Sequence, residues 1–264
     1  MLKIHPVHAG IAVGVAFACL AVPQALAQGA GVIASDQNLS RTDKPVRPST
    51  DNFTESGIQP DAIRMYDRAV RELHQGHAVP AEQDANRALR IDPKFADAAA
   101  LAATAALMQQ QFIRATVEAS QAIQINPADE KAYVILATGQ NYLGHYSAAA
   151  EALGHVRPQE QSTWQVAYQW ARAEAGLQNL QQCLEWTNRA ALSAPPEFAP
   201  LHLLRTSVMV TLGENARAAD ELQIYLQLPS VNPSQRELFT QELHRLRQLP
   251  PIAADSQSLP AAMQ

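Results

Sequence analysis

The sequence predicts an all-α solenoid, a stack of helix pairs, and three observations carry that prediction. Small residues return every 34 positions in three separate series: Ala69, Ala103, Ala137 and Ala171; Ala81, Ala115, Ala149 and Cys183; Ala88, Ala122, Val156 and Ala190. Between them the apolar residues keep helical spacing. Turn residues interrupt in the same frame, Pro93 being followed by Pro127 one period on and Gly76 by Gly144 two periods on. Self-similarity of this length marks an array in which no unit can bury its apolar face alone, so each buries it against its neighbours.

The elements follow in order. Ile63, Tyr66, Val70 and Leu73 form one stripe of an amphipathic helix that Gln75-Gly76-His77 stops. Ala81, Ala85, Ala88, Leu89 and Ile91 form the next, ended at Asp92-Pro93 because proline cannot continue a helix. One unit is thus two helices of roughly three turns. Antiparallel helices approach closely only over small side chains, so Ala69 and Ala81 mark the contact between the two. The second pair is expected at 96–109 and 112–125, the third at 130–143 and 146–156, and the fourth at 164–177 and 180–193. Pro195-Pro196 then shifts the frame by one residue, since Ala218 follows Cys183 after 35 positions. A fifth pair is expected at 198–212 and 215–228. The last helix, 233–249, carries Leu238, Leu243 and Leu246 among many Gln, Arg and Glu residues and suits the polar cap that ends such a stack.

Composition excludes several classes. With 47% hydrophobic and 17% charged residues the chain is not disordered throughout. A formal charge of -5 with interleaved signs gives no footprint for nucleic acid. Residues 1–27 read as a signal peptide: Lys3 in a short basic start, an apolar core from Ala9 to Val22, and Ala25-Leu26-Ala27 as cleavage site. An uncleaved anchor and a lipid-modified Cys19 stay open as alternatives. The expectation is a periplasmic or secreted protein with no membrane span after cleavage. Residues 28–60 and 250–264, rich in Gly, Ser, Thr, Asp, Asn and Pro, read as a linker and a flexible tail. After cleavage Cys183 is the only cysteine and reads as a packing residue.

The 34-residue unit, best displayed by Ala132, Tyr133, Leu136, Ala137, Tyr142, Leu143, Gly144, Tyr146, Ala149 and Leu153, resembles the tetratricopeptide repeat. The likeness covers about residues 62–249, as units 62–95, 96–129, 130–163, 164–197 and 198–231 and the cap 233–249. Departures exist: Met65, Ala99 and Ala167 stand where a large aromatic is usual, and Arg68 and Ala102 where leucine is. The third unit has Gln161 in place of its closing proline. The resemblance implies a right-handed α-solenoid of about five pairs whose first helices line a concave groove for a peptide or protein.

Carried over position by position, that groove would comprise Tyr66, Val70, Ala100, Thr104, Met108, Val134, Thr138, Asn141, Tyr142, Tyr168, Arg172, Leu203 and Ser207. The family's carboxylate-gripping Lys and Asn are replaced by Val70, Thr104 and Thr138, and Arg172 is the one cation in the row. No catalytic constellation, phosphate loop, metal-ligand set or cofactor motif accompanies it; His74 and His77 lack further ligands nearby. The expected function is a noncatalytic interaction scaffold. Alternatives are a regulatory or assembly subunit of an envelope enzyme or secretion complex, and a self-associating structural protein.

Overall fold

The structure is a computed structural model, and it describes residues 57–157 and 163–249. The expected signal peptide at 1–27, residues 28–56 of the expected linker, the tail at 250–264 and Gln161 lie outside the described residues. Among the described residues there are eleven helices and no strand: α1 (Pro60–His74), α2 (Ala78–Ile91), α3 (Ala96–Met108), α4 (Phe112–Ile125), α5 (Glu130–Leu143), α6 (Tyr146–Gly154), α7 (Trp164–Gly176), α8 (Leu180–Ala191), α9 (Ala199–Thr211), α10 (Asn215–Gln227) and α11 (Pro233–Gln248). The fold is the all-α solenoid of helix pairs. α1 opens at Pro60, ahead of the expected start, because proline lacks only an N–H that the first turn does not use. α6 closes early, at Gly154, where glycine is a poor helix former and Pro158 lies just ahead.

One joint is repeated in every pair. Within two residues of the end of each first helix one residue has a left-handed backbone: Gly76 (φ 81°), Gln110 (φ 58°), Gly144 (φ 79°), Gln178 (φ 64°) and Gly213 (φ 79°). The next N–H then reaches back more than a turn, from His77 to Glu72, Gln111 to Ala106, His145 to Gln140, Asn179 to Glu174 and Glu214 to Met209, at 2.8–2.9 Å. This is the Schellman closure, and it satisfies helix-end carbonyls that would otherwise lack donors. The carbonyls of those same donor residues accept the opening bond of the second helix, from Ala81, Ala115, Ala149, Cys183 and Ala218 at 2.9–3.1 Å. The small-residue series therefore begins each second helix one turn from the joint, and every member is fully buried.

The chain divides at Pro195-Pro196 into two compact bodies, at the step where the 34-residue frame slips. In the first, described over 57–195, each helix packs on the next from α1 through α8, and α1, α3, α5 and α7 also adjoin one another in order. Its core is rich in alanine, and two members come from the predicted series: Ala69 clusters with Ala85 and Ala102, and Ala115 with Ala106 and Leu107. Two departures from the family pattern have local reasons. Arg68 sends its Nε to Asp84 Oδ2 at 2.8 Å, holding a buried carboxylate that Arg87 also meets at 2.8 Å. Ala99 leaves room in a cluster that the buried ring of Phe95 shares, 4.9 Å from the Tyr66 ring.

Rings from the second helices fill equivalent places in successive units. Phe112, opening α4, stacks on Tyr142 of α5 with centroids 4.3 Å apart and planes 4° apart. Tyr146, opening α6, stands one repeat after Phe112 and covers Gly176, which stands one repeat after Tyr142. A Cβ at Gly176 would run into that ring, so no side chain fits there while Tyr146 holds its place.

The second body, described over 196–249, packs α9 on α10 and α10 on α11. α11 buries Leu243 and Leu246, Phe239 meets Tyr225 edge-on at 5.1 Å, and Leu238 stays in solvent, unlike its two companions in the expected stripe. His202 pins the start of this body. Its Nδ1 lies 2.6 Å from Glu221 Oε1 and its Nε2 3.0 Å from the Pro196 carbonyl, and both partners are acceptors only, so the ring donates from both nitrogens as an imidazolium. Burial pulls its pKa down. The hydrogen bonds to Glu221 and Pro196 and the Glu221 charge outweigh burial and the nearby Arg205, leaving it above the usual imidazole value.

Substitution at the joints tests this account. Gln110→Gly and Gln178→Gly should each stabilise the fold by up to about 1 kcal/mol in urea unfolding, because a left-handed backbone strains any residue with a Cβ by roughly that much; Gly144→Gln should do the reverse. For His202 the pKa is raised on folding, so its contribution is whole below about pH 6.5 and is lost as pH climbs through the raised value. Thermal unfolding from pH 6 to 9 should show that loss, and His202→Gln should flatten it.

Candidate functional site

Because α1, α3, α5 and α7 adjoin in order, the row predicted on their faces runs continuously through the first body. Tyr66, Val70, Ala100, Thr104, Met108, Val134 and Tyr142 are half-buried and form its accessible part. Thr138, Asn141, Tyr168 and Arg172, expected on the groove surface, are buried instead. They are the floor between α5 and α7. Leu203 and Ser207 lie on α9 in the second body, Leu203 buried and Ser207 half-buried.

The two threonine hydroxyls in the row bond back to their own helices. Thr104 Oγ1 donates to the Ala100 carbonyl at 2.9 Å and Thr138 Oγ1 to that of Val134 at 2.7 Å. Thr104, half-buried, thus has its hydroxyl donor engaged one turn back, and Thr138 is covered. The middle of the row is therefore apolar, lined by aliphatic groups and the Met108 side chain.

Its two ends carry opposite character. At the α1 end, Tyr66 lies among acids: burial raises its phenol pKa most, followed by the charges of Asp97, Asp67 and Asp129. Burial also lifts the carboxyls of Asp67 and Asp97, and the Asp129 charge lifts Asp97 further. At the α7 end stands Arg172. Its guanidinium carbon lies 4.0 Å from the Tyr142 ring centroid, so Phe112, Tyr142 and Arg172 make a three-layer stack across α4, α5 and α7.

Arg172 is 6% exposed, and its one protein hydrogen bond among the described residues is a long one, 3.5 Å from Nη1 to Gln169 Oε1. No carboxylate among the described residues lies within ion-pair distance of it. Beneath it, Asn141 Nδ2 donates to the Gln169 carbonyl at 2.9 Å and to Gln169 Oε1 at 3.1 Å. That leaves Asn141 Oδ1 and Gln169 Nε2 buried with no hydrogen-bond partner among the described residues. A buried cation and amide groups without full pairing are costly in a protein interior. Arg172 and Gln169 Nε2 are the donors there with which an anionic oxygen can pair; Asn141 Oδ1 is an acceptor.

Sequence reasoning missed Gln169 and Phe112. Gln169 is one turn before Arg172, within i, i+3 reach, and that spacing was the available signal. Phe112 stacks from the neighbouring unit, which no local pattern shows.

Cys183 is buried, and burial pushes its thiol up to about 12, as befits a residue packed in an alanine series. Trp170 and Trp186 stack at 5.3 Å, with Arg189 4.4 Å from the Trp186 ring centroid. Among the described residues no three His, Cys, Asp or Glu side chains converge as metal ligands, and no helix is long and apolar enough to cross a membrane.

No family model matches the sequence, and no curated protein matches it significantly. Solved structures do. MamA from Desulfovibrio magneticus RS-1 superposes with a TM-score of 0.56 at 16% identity, over 65% of this chain and 96% of that one. TTC0263, a thermophilic TPR protein of Thermus thermophilus, gives 0.54 at 15% identity, over 69% and 99%. YrrB, described as a TPR protein with an unusual peptide-binding site, gives 0.54 at 14% identity, over 73% and 97%. At these identities the likeness establishes the fold, which is that of tetratricopeptide repeat proteins.

Proposed function

We propose that this protein is a noncatalytic scaffold that binds a peptide or protein segment along the first-helix row of residues 57–195. One observation carries the reading: Arg172, buried on the Tyr142 ring with no carboxylate partner among the described residues, is a cation awaiting its counter-charge. A carboxylate laid on it would make charge-assisted bonds in a desolvated setting, where they are strongest. The apolar middle of the row suits aliphatic or aromatic side chains of the same segment. The acids around Tyr66 suit a basic residue at its other end. The peptide-binding site for which YrrB is described supports such a use of the fold.

We further propose that the protein is exported, with the segment 1–27 removed by cleavage after Ala27.

Two measurements test these readings. A photo-crosslinker placed at Met108 identifies the bound segment in the native cell, and the synthetic segment is then titrated. Arg172→Met should weaken it at least tenfold, about 1.4 kcal/mol, without lowering thermal stability, and Arg172→Lys should recover part of the affinity. Unchanged affinity in Arg172→Met would sink the site. Intact-mass analysis of protein from the native host should find a chain beginning at Gln28; a chain retaining residues 1–27 removes the reading of cleavage after Ala27.

A further inference from the structure

The second helices of the first two units carry a groove of their own. α2 and α4 both pack on α3, and between them lies an open cavity of about 850 Å³. Val79, Gln83, Arg87 and Arg90 descend its α2 wall at helical spacing, while Arg114 and Gln121 stand on its α4 wall. Val117, three residues after Arg114 and four before Gln121, shares the α4 face. The wall from Val79 to Arg90 is about 16 Å long, some three turns of helix.

Charge in this groove is layered. On the α2 wall Arg87, about half in water, meets Asp84, a 2% exposed carboxylate outside the groove lining that Arg68 of α1 also meets. Glu82 is likewise buried beneath Arg114, which meets it at 2.7 Å. Arg90 is exposed and has no ion-pair partner among the described residues. Behind them Glu118 is buried, and burial together with the Glu82 charge pushes its carboxyl up to about 7 against the lowering effects of Asn86 and Arg114. The acids are inside and the guanidiniums outside. Alongside them Val117 is 63% exposed and Ile113, one turn earlier, 71%, two large aliphatic side chains left in water on a helix that buries alanines on its other side.

We propose that the α2–α4 groove docks an acidic amphipathic helix of a partner protein, its carboxylates on Arg87, Arg90 and Arg114 and its apolar side chains over Val79, Val117 and Ile113. Charge complementarity selects the sign, and outward-facing planar guanidiniums suit bidentate pairing with carboxylates. The concave, three-turn shape selects a helix over a flat bilayer surface. This surface is separate from the first-helix row and acts whether or not that row binds a peptide.

The test uses the full-length chain and three probes: a three-turn synthetic helix with Glu on one face and Leu on the other, the same helix with Lys for Glu, and phosphatidylglycerol vesicles. The Glu helix should bind, lose affinity as salt rises, and exceed the Lys helix at least tenfold. Arg90→Glu with Val117→Asp alters two exposed side chains, and circular dichroism should show the fold retained while Glu-helix affinity falls at least tenfold. If the double variant does not fold, Arg90→Glu alone carries the comparison, with a threefold or greater loss expected. The proposal is overturned by no binding of the Glu helix, by equal binding of the two helices, by affinity that survives these substitutions, or by capture on the vesicles alone.

Discussion

Everything in this chain hangs on a single backbone constraint, the left-handed residue that closes each first helix. With that residue in place the next N–H turns back to the helix it leaves, and the carbonyl beside it opens the helix that follows. Two helices are thereby set antiparallel at a fixed offset, which brings the alanine series into contact. Helices so close have little apolar side chain to bury at the contact, so their stability comes from stacking many such contacts in register. A constant repeat length holds that register, and the one slip, at Pro195-Pro196, falls where the chain divides into two bodies.

The same close packing gives the first-helix row its chemistry. Alanines and threonines bonded back to their own helices keep its centre apolar, and the few large groups are forced into stacks. Arg172 is held by a ring from α5 and an amide on its own helix rather than by an acid. Elsewhere the fold treats buried charge differently: Asp84 is met by two arginines, and Glu221 by His202 and by Arg205 at 3.4 Å. The contrast with those paired charges is what singles Arg172 out.

Most of the fold was legible in the sequence, because small residues, helical stripes and punctuation share one period and each reports the same contact. Gly76, Gly144 and Gly213 announced their joints. Gln110 and Gln178 did not, since glutamine has no preference for the left-handed region and only its place in the frame gives it away. The site was less readable. A residue's number in the repeat says which way its side chain sets out, so the helices of the row were assigned without the structure. It does not say how much covers the side chain on arrival, and Thr138, Asn141, Tyr168, Arg172 and Leu203 are covered. The layering of acids beneath arginines on α2 and α4 was invisible for the same reason: both signs occur in the sequence, and depth alone separates them.

The ring of Tyr146 over Gly176 adds a rule about inheritance. Positions 112 and 142 hold two flat rings, whereas their counterparts one unit later hold one ring and no side chain at all. The space at that junction is kept as a sum, not residue by residue. A chain descended from this one could therefore enlarge position 176 only after shrinking position 146, so the two sites must drift as a pair, in an order that the geometry dictates.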